Sequence, residues 1–211
     1  MTTRAWLMVV VLISLVVGLG AYYVVRDIRS ANAEIEAWSQ VKYDAMPPAA
    51  IELPIEIVGE KFAWRIRYPS SHRLQSDYQL AESFAREVRT DQAQADDVHL
   101  VNELHLWKQS KVRLYLKSTE VPHSLFIPLL RLKQDIIPGQ VIDVWLEADQ
   151  TNVAWDRKSA DWKSGEEWEF VCAEHVRQEM IGRLLVHETK DEFLKWLKQV
   201  EESKALPPRG R

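Results

Sequence analysis

Ile55-Glu56-Ile57-Val58-Gly59-Glu60-Lys61-Phe62-Ala63-Trp64-Arg65-Ile66-Arg67-Tyr68 is the stretch that decides the fold class. Ile55–Val58 and Phe62–Tyr68 alternate apolar and polar residues at period two, with Gly59 between them, which is the pattern of strands with one buried face. Pro69-Ser70-Ser71 ends the second run. Strand signals resume at Leu100 to Leu106, Lys111 to Lys117, Ser124 to Ile127, Gln140 to Leu146, Trp168 to Ala173 and Gly182 to His187, and Val112-Arg113-Leu114-Tyr115-Leu116 alternates most cleanly. Several short strands separated by turns, with little helix, predict a mainly β chain folded as an antiparallel sandwich or barrel.

Two polar stretches interrupt the strands. Residues 71–97 read as a surface insertion with a short helix around Leu80 to Val88. Residues 147–167 form a second insertion that carries Trp155 and Trp162, as a docking surface or as a cap on the sandwich. Thr189-Lys190-Asp191-Glu192 has the form of a capping box opening a C-terminal helix. Phe193, Trp196, Leu197 and Val200 then share one face, which predicts packing against the sandwich. A disordered tail is expected at Pro207-Pro208-Arg209-Gly210-Arg211.

Upstream, Trp6 to Val25 is twenty residues without a charge, bounded by Arg4 and by Arg26 and Arg29. About twenty apolar residues span a bilayer core, so a single transmembrane anchor is expected. A cleaved signal peptide ending at Ala31-Asn32-Ala33 is the rival reading, although a signal's apolar region runs only about 7–15 residues. Met46-Pro47-Pro48-Ala49-Ala50 reads as linker. The expected organisation is an anchor over 1–30, a linker over 31–54, the sandwich over 55–188, and a helix and tail over 189–211.

Charge narrows the partners. The chain carries 27 basic and 31 acidic residues, a net of −4. Three of the basic residues (Arg4, Arg26, Arg29) and only one acidic residue (Asp27) fall in the anchor, so the remainder is more acidic still. That argues against nucleic acid and suits a basic protein partner. The single cysteine excludes an intramolecular disulfide framework.

That cysteine heads the string Cys172-Ala173-Glu174-His175, with Met180 five residues on and His123 upstream. A thiolate, two imidazoles and a thioether are the soft and borderline ligands that hold copper, and the loop is short enough to wrap one ion. The plainer reading makes Cys172 a small buried hydrophobe and Met180 a core residue. His72, His99, His105 and His187 read as surface or strand histidines.

Several motifs together resemble subunit II of haem-copper respiratory oxidases, the cytochrome c oxidase type. The resemblance runs through Gly59 to Pro69, then Asn102-Glu103-Leu104-His105-Leu106, then Val121-Pro122-His123-Ser124-Leu125-Phe126-Ile127-Pro128. It continues through Arg131-Leu132-Lys133-Gln134-Asp135, Pro138-Gly139, Cys172-Ala173-Glu174 and Met180-Ile181-Gly182-Arg183-Leu184. It implies a cupredoxin-like domain on the periplasmic or extracytoplasmic side of the membrane. That domain would accept electrons from cytochrome c or another small redox donor and pass them to subunit I. It further implies a magnesium ion at the subunit I border, reached by Glu174, and an electron-entry aromatic at Phe62, with Trp64 two residues later.

The chain departs from the family at the metal. Val176 stands where the family's second cysteine falls, and the loop from Cys172 to Met180 is three residues shorter. Two bridging thiolates are needed for the family's dinuclear copper, so that centre is not expected. Cys-x2-His-x4-Met is similar instead to the loop of plastocyanin-type mononuclear blue-copper proteins, with His123 as the ligand from an earlier strand. The expected function is electron transfer through one copper held by His123, Cys172, His175 and Met180, catalysis belonging to the whole complex. The alternatives are a metal-free structural subunit II of a quinol-oxidising or otherwise divergent haem-copper complex and a free-standing anchored copper protein.

Overall fold

The computed structural model describes residue 6 and residues 14–29, 51–156, 161–175 and 180–205. The chain divides into two units, Met1–Lys42 and Tyr43–Arg211. In the first, residues 14–29 are helical with their apolar side chains exposed. Among the described residues no helix is long and apolar enough to cross a membrane. Most of the first half of the expected span, the proline linker and the C-terminal tail lie outside the described residues.

Among its described residues the second unit has twelve strands and three helices: β1 (Leu53–Glu60), β2 (Ala63–Tyr68), α1 (Ser71–Ser76), α2 (Leu80–Arg89), β3 (Val98–Val101), β4 (Glu103–Trp107), β5 (Val112–Ser118), β6 (His123–Ile127), β7 (Leu132–Ile136), β8 (Ile142–Leu146), β9 (Val153–Asp156), β10 (Asp161–Ser164), β11 (Trp168–Cys172), β12 (Ile181–His187) and α3 (Lys190–Ala205). One sheet runs β3-β2-β1-β5-β8. The other runs β10-β9-β12-β11-β6-β7, with β4 also paired to β12. Leu53, Ile55 and Ile57 of β1 and Trp64, Ile66 and Tyr68 of β2 meet Leu104, Leu125, Phe170 and Leu184 of the other sheet in one core.

The sheets are mixed, which corrects the expected antiparallel arrangement. β1 lies parallel to β5, and β4 parallel to β12. Period-two alternation reports which face is buried and carries no information on strand direction. A parallel pair needs a long crossover, and residues 61–111 supply the one from β1 to β5.

Residues 71–97 are more than a surface insertion. α2 buries Leu80, Phe84 and Val88, four residues apart on one face. Beneath it Arg67 bonds Glu56 at 2.5 Å and Asp97 at 2.6 Å. Arg73 bonds Asp97 at 2.9 Å and Glu87 at 2.7 Å. The Arg67 guanidinium also lies 4.4 Å from the centre of the Phe84 ring.

α3 closes the open face of the second sheet. Thr189 caps it, its Oγ1 accepting the Glu192 N–H at 3.2 Å, and Phe193, Leu194, Trp196 and Leu197 are buried. Trp196 stacks on His105 with ring centres 3.6 Å apart, and His105 Nδ1 lies 3.1 Å from His187 Nε2. His105 and His187 are strand residues, both buried, whereas His72 and His99 are exposed. Burial first, and the charge of His105 second, lower the His187 pKa from 6.5 to about 3. Trp155 and Trp162 are cross-strand partners on the β9–β10 hairpin and cap α3: Trp162 Nε1 donates to Gln199 and Lys195 lies over Trp155. At the far end, Glu201 accepts the Ser71 N–H at 2.6 Å and its hydroxyl at 2.8 Å, tying α3 to the start of α1.

Candidate metal centre

The candidate ligands are set by two adjacent strands, β6 and β11, and by the loop that leads from β11 to β12. His123 opens β6 and Cys172 closes β11, and these strands pair antiparallel with Cys172 opposite Leu125. Beyond Cys172 the ladder continues for one step, Ala173 N–H donating to the Ser124 carbonyl at 2.8 Å. The chain then turns. Cys172 N–H donates to the Met180 carbonyl at 3.1 Å, which closes the loop at its neck. His175 lies inside that loop, and residues 176–179 lie outside the described residues.

His123, Cys172 and His175 converge, their ligating atoms all within 4.8 Å of one another. Cys172 Sγ is 3.3 Å from His175 Nδ1 and 3.7 Å from His123 Nδ1. With metal–sulfur and metal–nitrogen bonds of about 2.3 and 2.0–2.1 Å, trigonal or tetrahedral coordination puts sulfur and nitrogen roughly 3.5–3.8 Å apart. The two observed spacings are close to that range, so the three donors fit one metal ion with little movement. Cys172 and His123 are buried and His175 is partly so. Met180 is buried beside the loop neck.

The surroundings favour a soft, dry site. The Ser124 N–H points at Cys172 Sγ at 3.4 Å, and the Ser124 hydroxyl donates to Asp135 at 2.6 Å. Burial, with His175 adding to it and Glu120 opposing, holds the His123 imidazole below its ordinary pKa, which keeps a nitrogen lone pair free for a metal. Among the described residues, buried His123 Nε2 has no hydrogen-bond partner. Among the described residues, no other group of three such ligands comes together.

Of the remaining site expectations, Glu174 is exposed on the loop and outside the ligand group. Phe62 is 49% exposed, its ring edge-on to His175 at 6.2 Å. Trp64 is fully buried between His123 at 5.8 Å and Phe170 at 6.0 Å. Sequence reasoning missed Gly59 as part of the site. A Cβ there would stand 2.7 Å from His123 Cδ2, so only glycine admits the imidazole at this depth.

The family of cytochrome c oxidase subunit II, periplasmic domain, matches residues 53–161, just over half of the chain. The chain belongs to that family. Curated relatives of this subunit II include the alternative cytochrome c oxidase subunit 2 of Bradyrhizobium diazoefficiens, 27% identical over 175 residues, covering 77% of this chain and 54% of the relative. The probable cytochrome c oxidase subunit 2 of Rickettsia bellii is 26% identical over 108 residues, covering 51% of this chain and 39% of the relative. The chain therefore spans about half the length, or less, of these relatives. Among solved structures, the periplasmic domain of subunit II of cytochrome oxidase (CoxB) of Bradyrhizobium japonicum is similar at 16% identity and a TM-score of 0.50, covering 72% of this chain and 96% of that one. Subunit II in its mixed-disulfide intermediate with thioredoxin-like TlpA gives 17% identity and a TM-score of 0.51, covering 77% and 99%. These likenesses identify the sandwich as cupredoxin-like.

Proposed function

We propose that this subunit II family member transfers electrons in a haem-copper oxidase through one copper ion held by His123, Cys172, His175 and Met180. The observation that carries the reading is the convergence of one thiol and two imidazoles at metal-ligand spacing in a chain whose only cysteine is Cys172. Bound copper would supply a one-electron couple. The chain's own residues do the rest. Two hydrogen-bonded strands fix His123 and Cys172, burial excludes water, and the Ser124 N–H stabilises charge on the sulfur. The family's dinuclear centre needs two bridging thiolates and this chain has one cysteine, which supports a single copper.

Electrons enter past Phe62, which reaches His175 from the surface, and Trp64 backs His123 from within. The donor is cytochrome c or another small redox protein, and the acceptor is subunit I. Glu174, exposed between two ligands, would share a magnesium ion at that border. The apolar run Trp6 to Val25 anchors the chain, with the cupredoxin-like domain on the periplasmic side.

The test is copper loading of the full chain in detergent, beside Cys172→Ser. One copper per chain with an intense visible thiolate charge-transfer band, absent in the variant, is the expected result. A colourless protein that retains no copper refutes the reading and leaves a metal-free structural subunit.

A further inference from the structure

Resting on that reading of the site, we propose that Asn102 is a positioning residue that sets the His123 imidazole from the opposite sheet, acting through Trp64. Asn102 is the single residue between β3, which pairs with β2 in the first sheet, and β4, which pairs with β12 in the second. Its φ of +58° lies in the left-handed region, which asparagine tolerates better than most residues. There it makes three hydrogen bonds of 2.8 Å. Its Oδ1 accepts the Trp64 N–H, its N–H donates to the Trp64 carbonyl, and its carbonyl accepts the Arg183 N–H.

The first two bonds grip one residue at both backbone groups. The indole of that residue stands against His123, on the strand that starts with this ligand, and against Phe170, two residues before Cys172. Trp64 is thus a wedge set against the two paired strands that present the imidazole and the thiol. The opposite wall is Gly59, directly across the ladder from Trp64, whose missing Cβ lets the imidazole edge rest on backbone. His123 belongs to the second sheet, yet both walls that orient it belong to the first. Asn102 is the residue that bonds to both sheets beside them.

The deciding readout is the nuclear Overhauser effect between His123 Hδ2 and Gly59 Hα in the metal-free full chain in detergent, since it reports imidazole position without copper. Asn102→Gly keeps the backbone conformation and removes only the side-chain acceptor. It is expected to weaken that effect and to shift the charge-transfer band of the copper-loaded chain, whereas Asn102→Asp, which retains an acceptor, restores both. A native His123–Gly59 effect in Asn102→Gly overturns the proposal. Should that variant fail to fold, Trp64→Leu carries the same test. Loss of the effect there supports the wedge, and its persistence removes the path through which Asn102 acts. A wild-type chain that binds no copper sinks the copper reading, while the proton effect still decides the role of Asn102.

Discussion

Acidification should destabilise the fold through His187, by an amount the structure sets. His187 is wholly buried, faced by His105 from β4, Trp162 from β10, and Phe193 and Trp196 from α3. Its pKa is lowered from 6.5 to about 3. Below 6.5 the unfolded chain takes up a proton at this position and the folded chain does not. Stability then falls with falling pH, with a slope of about 1.4 kcal/mol per unit for one such group. At pH 4.5, two units below the unfolded value, the loss from His187 alone is roughly 3 kcal/mol. It continues until about pH 3, where the folded imidazole also protonates. Glu103, held at about 2 chiefly by His105 and then by Arg183, loses its contribution only below about 4.5, so the measurement stops there. The assay is urea unfolding of the metal-free chain at several pH values from 7.5 to 4.5, beside His187→Leu. The variant should lose about one proton's worth of slope, whatever its stability at neutral pH. Equal slopes in the two proteins would refute the reasoning.

Three further outcomes follow from the same geometry. Arg67→Met strips the cation from Glu56 and Asp97 and should cost about 3–5 kcal/mol in urea unfolding, well above the effect of losing an exposed pair such as Lys61–Glu120. Gly59→Ala should lower copper occupancy and cost about 1–3 kcal/mol, because the added methyl displaces the His123 ring. Copper supplied at a hundredfold excess over its dissociation constant should stabilise the chain by about 2.7 kcal/mol, and chelation or Cys172→Ser should abolish that gain; a melting temperature indifferent to copper would contradict it.

The sequence shows the inner strands well and the junctions poorly. β1, β2 and β5 alternate because one face is core. β7, Leu132–Ile136, gives no strand signal because, as an edge strand, it carries polar residues at Lys133, Gln134 and Asp135. The run Leu100 to Leu106 reads as one strand, since alternation does not report which sheet a residue joins; only the turn at Asn102 separates β3 from β4. His105 and His187 pass for ordinary strand histidines because the aromatics that bury them come from other elements, α3 for both and β10 for His187, which alternation within a strand does not report. At the site, residue chemistry pointed to Cys172 and His175 through their loop, and to His123 through its motif. Gly59 was silent there because a glycine signals its role only once a neighbour is seen pressing on it.

The bond from Glu201 to Ser71 joins residues 130 positions apart, so a helix made last closes on one made early. The chain emerges from the ribosome amino end first, so both sheets can form while Tyr68, His105, Trp107 and His187 still lack their cover. Until that helix docks, the half-built domain shows a broad aromatic face, open to chaperones, proteases and its own neighbours, and the last helix made is the one that shuts it.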